Sequence, residues 1–242
     1  MTNEELKEKL KNIDFSSSSA KWLLSNEYKL NVGNKKSRSY YALYLMDEKQ
    51  CKYDISSNDQ TNENYKYAMF VHDDSKVSDS ELYIVIGQNP SYSSKTNVDR
   101  TNQSIYKAMI HNKKTRYLLL NTFPKIDSDG TNSPDLDKTT ENIAIAKQLI
   151  TELKNCGLTI RLIYACGGSL PVYAKFIEEL KELTVSLKIK TYAFEANNLV
   201  QAHMSMQNIN SKQLKPSDFS IVDYDIDFKP TDEFKHVKFR KG

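Results

Sequence analysis

Four short polar signatures hold the side chains of this 242-residue chain best suited to chemistry. Gly87-Gln-Asn-Pro-Ser-Tyr92 follows the run Leu82-Tyr-Ile-Val-Ile86, and Asn121-Thr-Phe-Pro124 follows Tyr117-Leu-Leu-Leu120. Cys166-Gly-Gly-Ser169 follows Ile160-Arg-Leu-Ile-Tyr-Ala165, and a stretch containing His203-Met-Ser205 comes after Thr191-Tyr-Ala-Phe194. The carboxamides of Asn89 and Asn121 each carry donors and an acceptor, and the His203 imidazole can donate or accept near neutral pH. This is hydrogen-bonding and proton chemistry rather than metal or thiol chemistry. Cys51, Cys156 and Cys166 lie far apart and form no Cys-x-x-Cys pair, so neither a disulfide framework nor a zinc or iron–sulfur site is signalled. Cys156 and Cys166 read as buried, inert thiols. No G-x-x-x-x-G-K-S/T occurs, which excludes a P-loop nucleotide site.

Taken singly, each signature has a plainer account. Gly, Asn and Pro are common turn residues, an asparagine after a strand often caps or turns the chain, and a lone histidine is usually surface or core. His72, His111 and His236 are read that way. The conjunction of Asn89, Asn121 and His203 carries the argument.

The four apolar runs are short and rich in β-branched and aromatic residues, the pattern of strands buried on both faces. Helical segments separate several of them. Thr139 to Asn155 puts Ile143, Ala146, Leu149, Ile150 and Leu153 on one face and stops at Gly157. Pro171 to Leu183 opens on proline and aligns Tyr173, Phe176, Ile177, Leu180 and Leu183. Alternating strand and helix predicts an α/β domain, a three-layer α/β/α sandwich around a mainly parallel sheet, spanning 81–242. In such sheets ligands bind at the carboxyl ends of strands, where the four signatures lie. Residues 1–80 read as an N-terminal extension. In it, Thr2 and Glu5 stand in capping-box relation before Leu6, Leu10 and Ile13, and Tyr40 to Met46 and Tyr65 to Val71 are strand-like.

Composition limits the function class. With 34 basic against 31 acidic residues the net charge is +3, so bulk charge does not hold the chain to nucleic acid and any such contact must be local. No run approaches the ~20 apolar residues that span a bilayer, and the N-terminus is too polar for a secretory signal, so a soluble, cytoplasmic protein is expected.

The ordered motifs resemble the uracil-DNA glycosylase superfamily. That family carries G-Q-D-P-Y-H or G-x-N-P after its first core strand, L-L-L-N-T after the next, a W-G strand end and a late H-P-S-P-L-S. This chain has Gly87-Gln-Asn-Pro-Ser-Tyr92, Leu118-Leu-Leu-Asn-Thr122, Tyr164-Ala-Cys-Gly167 and His203-Met-Ser-Met206 in the same order. It is also similar to a group of bacterial and mobile-element proteins in which N-P-S is followed by Asp-x-Thr, here Asp99-Arg-Thr101. The resemblance covers roughly 80–210 and implies base excision in DNA repair.

Cleaving an N-glycosidic bond passes through an oxocarbenium-like state with negative charge on the departing base. By the resemblance, His203 donates to uracil O2 as that charge develops, a contact worth roughly 3 to 4 kcal/mol for a well-placed donor. Asn121 reads the flipped base by accepting from N3–H and donating to O4, a pattern cytosine reverses. Asn89 holds the attacking water where the fastest members carry aspartate, which implies slower catalysis. Gln88, Ser91 and Tyr92 complete the base pocket, and Ser91 stands where a tyrosine walls off C5 in those enzymes, so a larger pyrimidine is admitted. Met204 replaces the proline of H-P-S, and Met204 and Met206 are candidate wedges into the gap left by the flipped nucleotide. Ser93, Ser94, Lys95 and Ser205 are candidate phosphate contacts, Lys113, Lys114 and Arg116 a second basic cluster, and Lys235 to Lys241 a basic, aromatic clamp.

The resulting expectation is a monofunctional, cofactor-free, monomeric glycosylase acting on DNA with uracil or a modified pyrimidine. No lysine stands at a recognisable nucleophile position. The resemblance leaves room for a protein inhibitor or replication partner. The alternatives are a catalytically weak or inactive module of the same fold that binds single-stranded or modified DNA, and an enzyme acting on free nucleosides or nucleotides.

Overall fold

Thr2 begins the ordered chain by capping a helix. Its hydroxyl accepts from the Glu5 amide at 3.2 Å and its own amide donates to the Glu5 carboxylate at 2.7 Å, so two otherwise unpaired donors are satisfied. The helix α1 (Asn3–Lys11) buries Leu6 and Leu10. The computed structural model describes residues 1–15, 18–31, 37–47, 65–73, 80–88, 90, 100–126, 136–166, 171–197, 199–201, 214–230 and 235–241.

Three strands follow α1: β1 (Ala20–Asn31), β2 (Ser37–Asp47) and β3 (Lys66–Asp73). The anticipated runs at Tyr40 to Met46 and Tyr65 to Val71 fall in or against β2 and β3, whereas β1 was not anticipated. Then come β4 (Glu81–Gly87), α2 (Arg100–His111), β5 (Arg116–Asn121), α3 (Leu136–Asn155), β6 (Thr159–Tyr164), α4 (Pro171–Ser186), β7 (Lys190–Ala196), β8 (Leu199–Gln201), β9 (Ser220–Pro230) and β10 (Lys235–Lys241). All four core runs are strands, and both anticipated helices form. Gly157 adopts φ +81° just past α3, the left-handed conformation that ends a helix at least cost with glycine.

The strands form one mixed sheet in the order β1-β2-β3-β5-β4-β6-β7-β9-β10, with β8 on β7. The expectation of a mainly parallel sheet is corrected. Parallel pairing is confined to β5-β4-β6-β7, where helices return the chain to the starting side, and the other six pairings are antiparallel. Residues before 80 belong to the same sheet, because β3 pairs with β5 from Ala68↔Leu120 to His72↔Arg116.

Strand alternation divides the interior into two clusters. Leu82, Ile84, Ile86, Leu118, Leu120, Ile160 and Leu162 join the buried residues of α1, α3 and α4. Tyr83, Val85, Tyr117, Leu119 and Ile163 join Ile105, Tyr106, Ala108 and Met109 of α2. Helices are thereby assigned to both faces of the parallel core. Among the described residues no helix is long and apolar enough to cross a membrane.

Candidate functional site

The carboxyl ends of β4 and β5 meet residue for residue, with Gly87 opposite Asn121. A Cβ on Gly87 would lie 2.8 Å from Asn121 Oδ1, closer than such atoms pack, so glycine is what lets the asparagine amide lie across the end of β4. The first two signatures are therefore in direct contact. Asn121 is 2% exposed, and its side-chain oxygen lies against the end of β4 at Gly87.

The backbone around it is pinned from three sides. Thr122 N donates to Gly87 O at 2.9 Å and Phe123 N to Gln88 O at 3.1 Å, continuing the parallel ladder past the strands. The buried Thr122 hydroxyl also donates to Gln88 O, at 2.7 Å. From α3, Asn142 Nδ2 donates to Asn121 O at 2.8 Å and Thr122 O at 3.3 Å. On the far side Lys66 N donates to Pro124 O at 2.8 Å. Gln88 is half-buried and Pro90 buried.

The third signature also reaches this end: Ala165 N donates to Ile86 O at 2.9 Å and Cys166 follows, 1% exposed. Burial pushes the Cys166 thiol up to about 12, so it stays protonated and unreactive, as expected. Cys156 is different. It lies exposed at the end of α3, because the apolar face of that helix ends at Leu153. The fourth signature begins two residues after β8, which pairs antiparallel with the end of β7 from Ala196↔Leu199 to Phe194↔Gln201.

Asn89, Ser91, Tyr92, Ser93, Ser94, Lys95, His203, Met204, Ser205 and Met206 lie outside the described residues. Of the proposed site, the structure brings together Gly87, Gln88, Asn121 and the β6 end.

A polar cluster missed in the sequence stands beside this end. Lys138 Nζ, on the first turn of α3, reaches Asp47 Oδ2 at 2.9 Å, Glu141 Oε2 at 2.7 Å and Tyr67 OH at 3.3 Å, and lies over the Tyr65 ring. Tyr67 OH donates to Glu141 Oε2 at 2.9 Å. Burial opposes the Lys138 charge, but its hydrogen bonds to Glu141 and Asp47 outweigh that and hold the ammonium above the ordinary lysine range. Burial, reinforced by the Glu141 carboxylate, holds the Tyr67 phenol protonated. The cluster fastens β2, β3 and α3 together around the strand ends. Its sequence signal was Lys138, Glu141 and Asn142 at i, i+3 and i+4, with Asn142 sharing a stripe with Ala146, Leu149 and Leu153.

The second basic cluster is not at this site. Lys113, Lys114 and Arg116 lie at the amino end of β5, across the sheet from Asn121. Arg116 is buried and donates to Met1 O at 2.8 Å and to Glu81 O at 3.3 Å. Lys114 pairs with Glu81 at 2.9 Å and caps the Tyr83 ring. Both charges serve internal partners because β5 begins inside the sheet. Lys235 to Lys241 forms β10, paired with β9.

Comparison with protein-family models, with curated proteins and with solved structures finds no match to this chain.

Proposed function

We propose that the chain is a DNA glycosylase of the uracil-DNA glycosylase type, built as a three-layer α/β/α domain, which hydrolyses the N-glycosidic bond of a flipped uracil or related pyrimidine and leaves an abasic site. The observation that carries this reading is the buried Asn121 carboxamide lying against Gly87 at adjoining strand ends. Such an amide offers paired donor and acceptor to the edge of a pyrimidine. Asn89 orients the attacking water and His203 donates to the base oxygen as charge develops. DNA is the partner, and Ser93, Lys95 and Ser205 contact its phosphates.

The reaction is monofunctional. Lys138, the lysine beside the strand ends, is held protonated between two carboxylates and is a poor nucleophile for a Schiff base. The test is incubation of excess protein with oligonucleotides bearing uracil, mismatched thymine or a modified pyrimidine, followed by hot alkali. Cleavage at the base position only after alkali is expected. Intact DNA across the whole panel refutes enzymatic excision, and retention of salt-sensitive binding would then identify a non-cutting DNA module.

A further inference from the structure

We infer that Asn142 is the positioning residue for the amide of Asn121, an assignment that rests on the base-reading role proposed above. Asn142 sits two turns into α3, is 1% exposed, and spends both Nδ2 hydrogens on consecutive carbonyls, those of Asn121 and Thr122. The carbonyls are where the chain leaves the sheet, so their direction sets the plane from which the Asn121 side chain departs. Gly87 limits that side chain on one side, and the Thr122 hydroxyl bonded to Gln88 O fixes the following residue. The helix itself is anchored by Lys138, one turn earlier, to Asp47 and by Glu141, the preceding residue, to Tyr67. A donor that holds two backbone oxygens from a rigid helix controls orientation without touching the ligand.

The test uses full-length protein with 15N-labelled asparagine, in which the Asn121 side-chain pair is assigned by its loss in Asn121→Asp. Asn112, whose amide donates to Ala108 O and Phe219 O in the other cluster, is the internal control. In Asn142→Asp a carboxylate faces two carbonyl oxygens at neutral pH with no hydrogen to offer. The Asn121 pair is expected to move while the Asn112 pair stays. Acidification protonates that carboxyl, restores one donor and returns the Asn121 pair toward its original position, whereas in the unaltered protein it stays put over the same range. Asn142→Ala shifts the pair at every pH. In excision, Asn142→Asp at neutral pH lowers the preference for uracil over cytosine by about 10-fold, acting on kcat rather than KM.

An Asn121 pair that stays in place in Asn142→Asp, with Asn112 also unmoved, overturns the assignment. The spectral arm needs no turnover. Movement of the pair in a protein that excises nothing sustains the positioning role and removes the proposed reaction. Excision with an unmoved pair and an unchanged uracil preference does the reverse.

Discussion

At Gly87 the absent side chain makes room for a neighbour, because an alanine there places carbon 2.8 Å from Asn121 Oδ1 and the amide must turn away. The displaced atom is a side-chain end rather than backbone, so the fold should survive. Gly87→Ala is expected to cost about 1 kcal/mol of stability or less by urea titration, while under the proposed function uracil excision falls about 100-fold, the penalty typical of a misplaced binding group. A loss of stability matching the loss of activity would contradict this. His72 gives a second single-residue expectation. Its ring stacks on Tyr41 at 5.2 Å, Nδ1 donates to Asp73 O at 2.7 Å, and the buried Nε2 has no hydrogen-bond partner among the described residues. Burial holds the imidazole below its ordinary 6.5, outweighing the Asp73 carbonyl. The unfolded chain therefore takes up the proton first. This contribution to stability is full above pH 6.5 and is lost progressively as pH falls below it. Melting between pH 7.5 and 5.5 should decline more for the native protein than for His72→Phe.

Among the elements, α3 links the polar cluster to the strand ends. Removing its cation by Lys138→Met takes the 2.9 Å ammonium contact away from Asp47, whose side chain is 3% exposed. A cost of about 3 kcal/mol is expected from chemical denaturation, largely recovered in the double variant Lys138→Met with Asp47→Leu. A single-variant cost under about 0.5 kcal/mol would mean the cluster is an ordinary surface pairing. The same helix shows what the sequence disclosed and what it hid. Its apolar stripe from Ile143 to Leu153 and its stop at Gly157 were legible because burial and a left-handed terminus demand those residue types. Asn142 was hidden, since a polar residue within an apolar stripe has meaning only once its partner strand is known. Strand β1 was hidden for another reason: the register shift between Leu23 and Ser25 breaks the two-residue period, and among the described side chains clear alternation runs from Glu27 to Leu30. The helix α2 buries Asn102 and Ser104 among its apolar residues, which blurred its stripe.

For the molecule as a whole, the sheet joins segments that sequence reading had set apart. The parallel core was legible because doubly buried strands must be apolar throughout; of the antiparallel flanks, the runs in β2 and β3 were legible as strands, but their pairing onto the core was not. The position of Arg116 was not legible, because a buried guanidinium and an exposed one look alike in sequence. Since β3 pairs along β5, a chain beginning at Ser80 would lose α1 and three strands and bare the backbone of Arg116–Asn121. Such a fragment is expected to be insoluble or to melt without cooperativity, as followed by circular dichroism. A cooperative transition would show that residues 81–242 stand alone.

The central position of β4 has a consequence during synthesis. Its partner β6 pairs through Glu81↔Thr159, seventy-eight residues later in the chain. At about 5–20 residues per second, the nascent strand waits roughly 4–16 s with one greasy flank bare. Holdase chaperones would find their natural target there, and slow codons between β5 and β6 would lengthen the exposure.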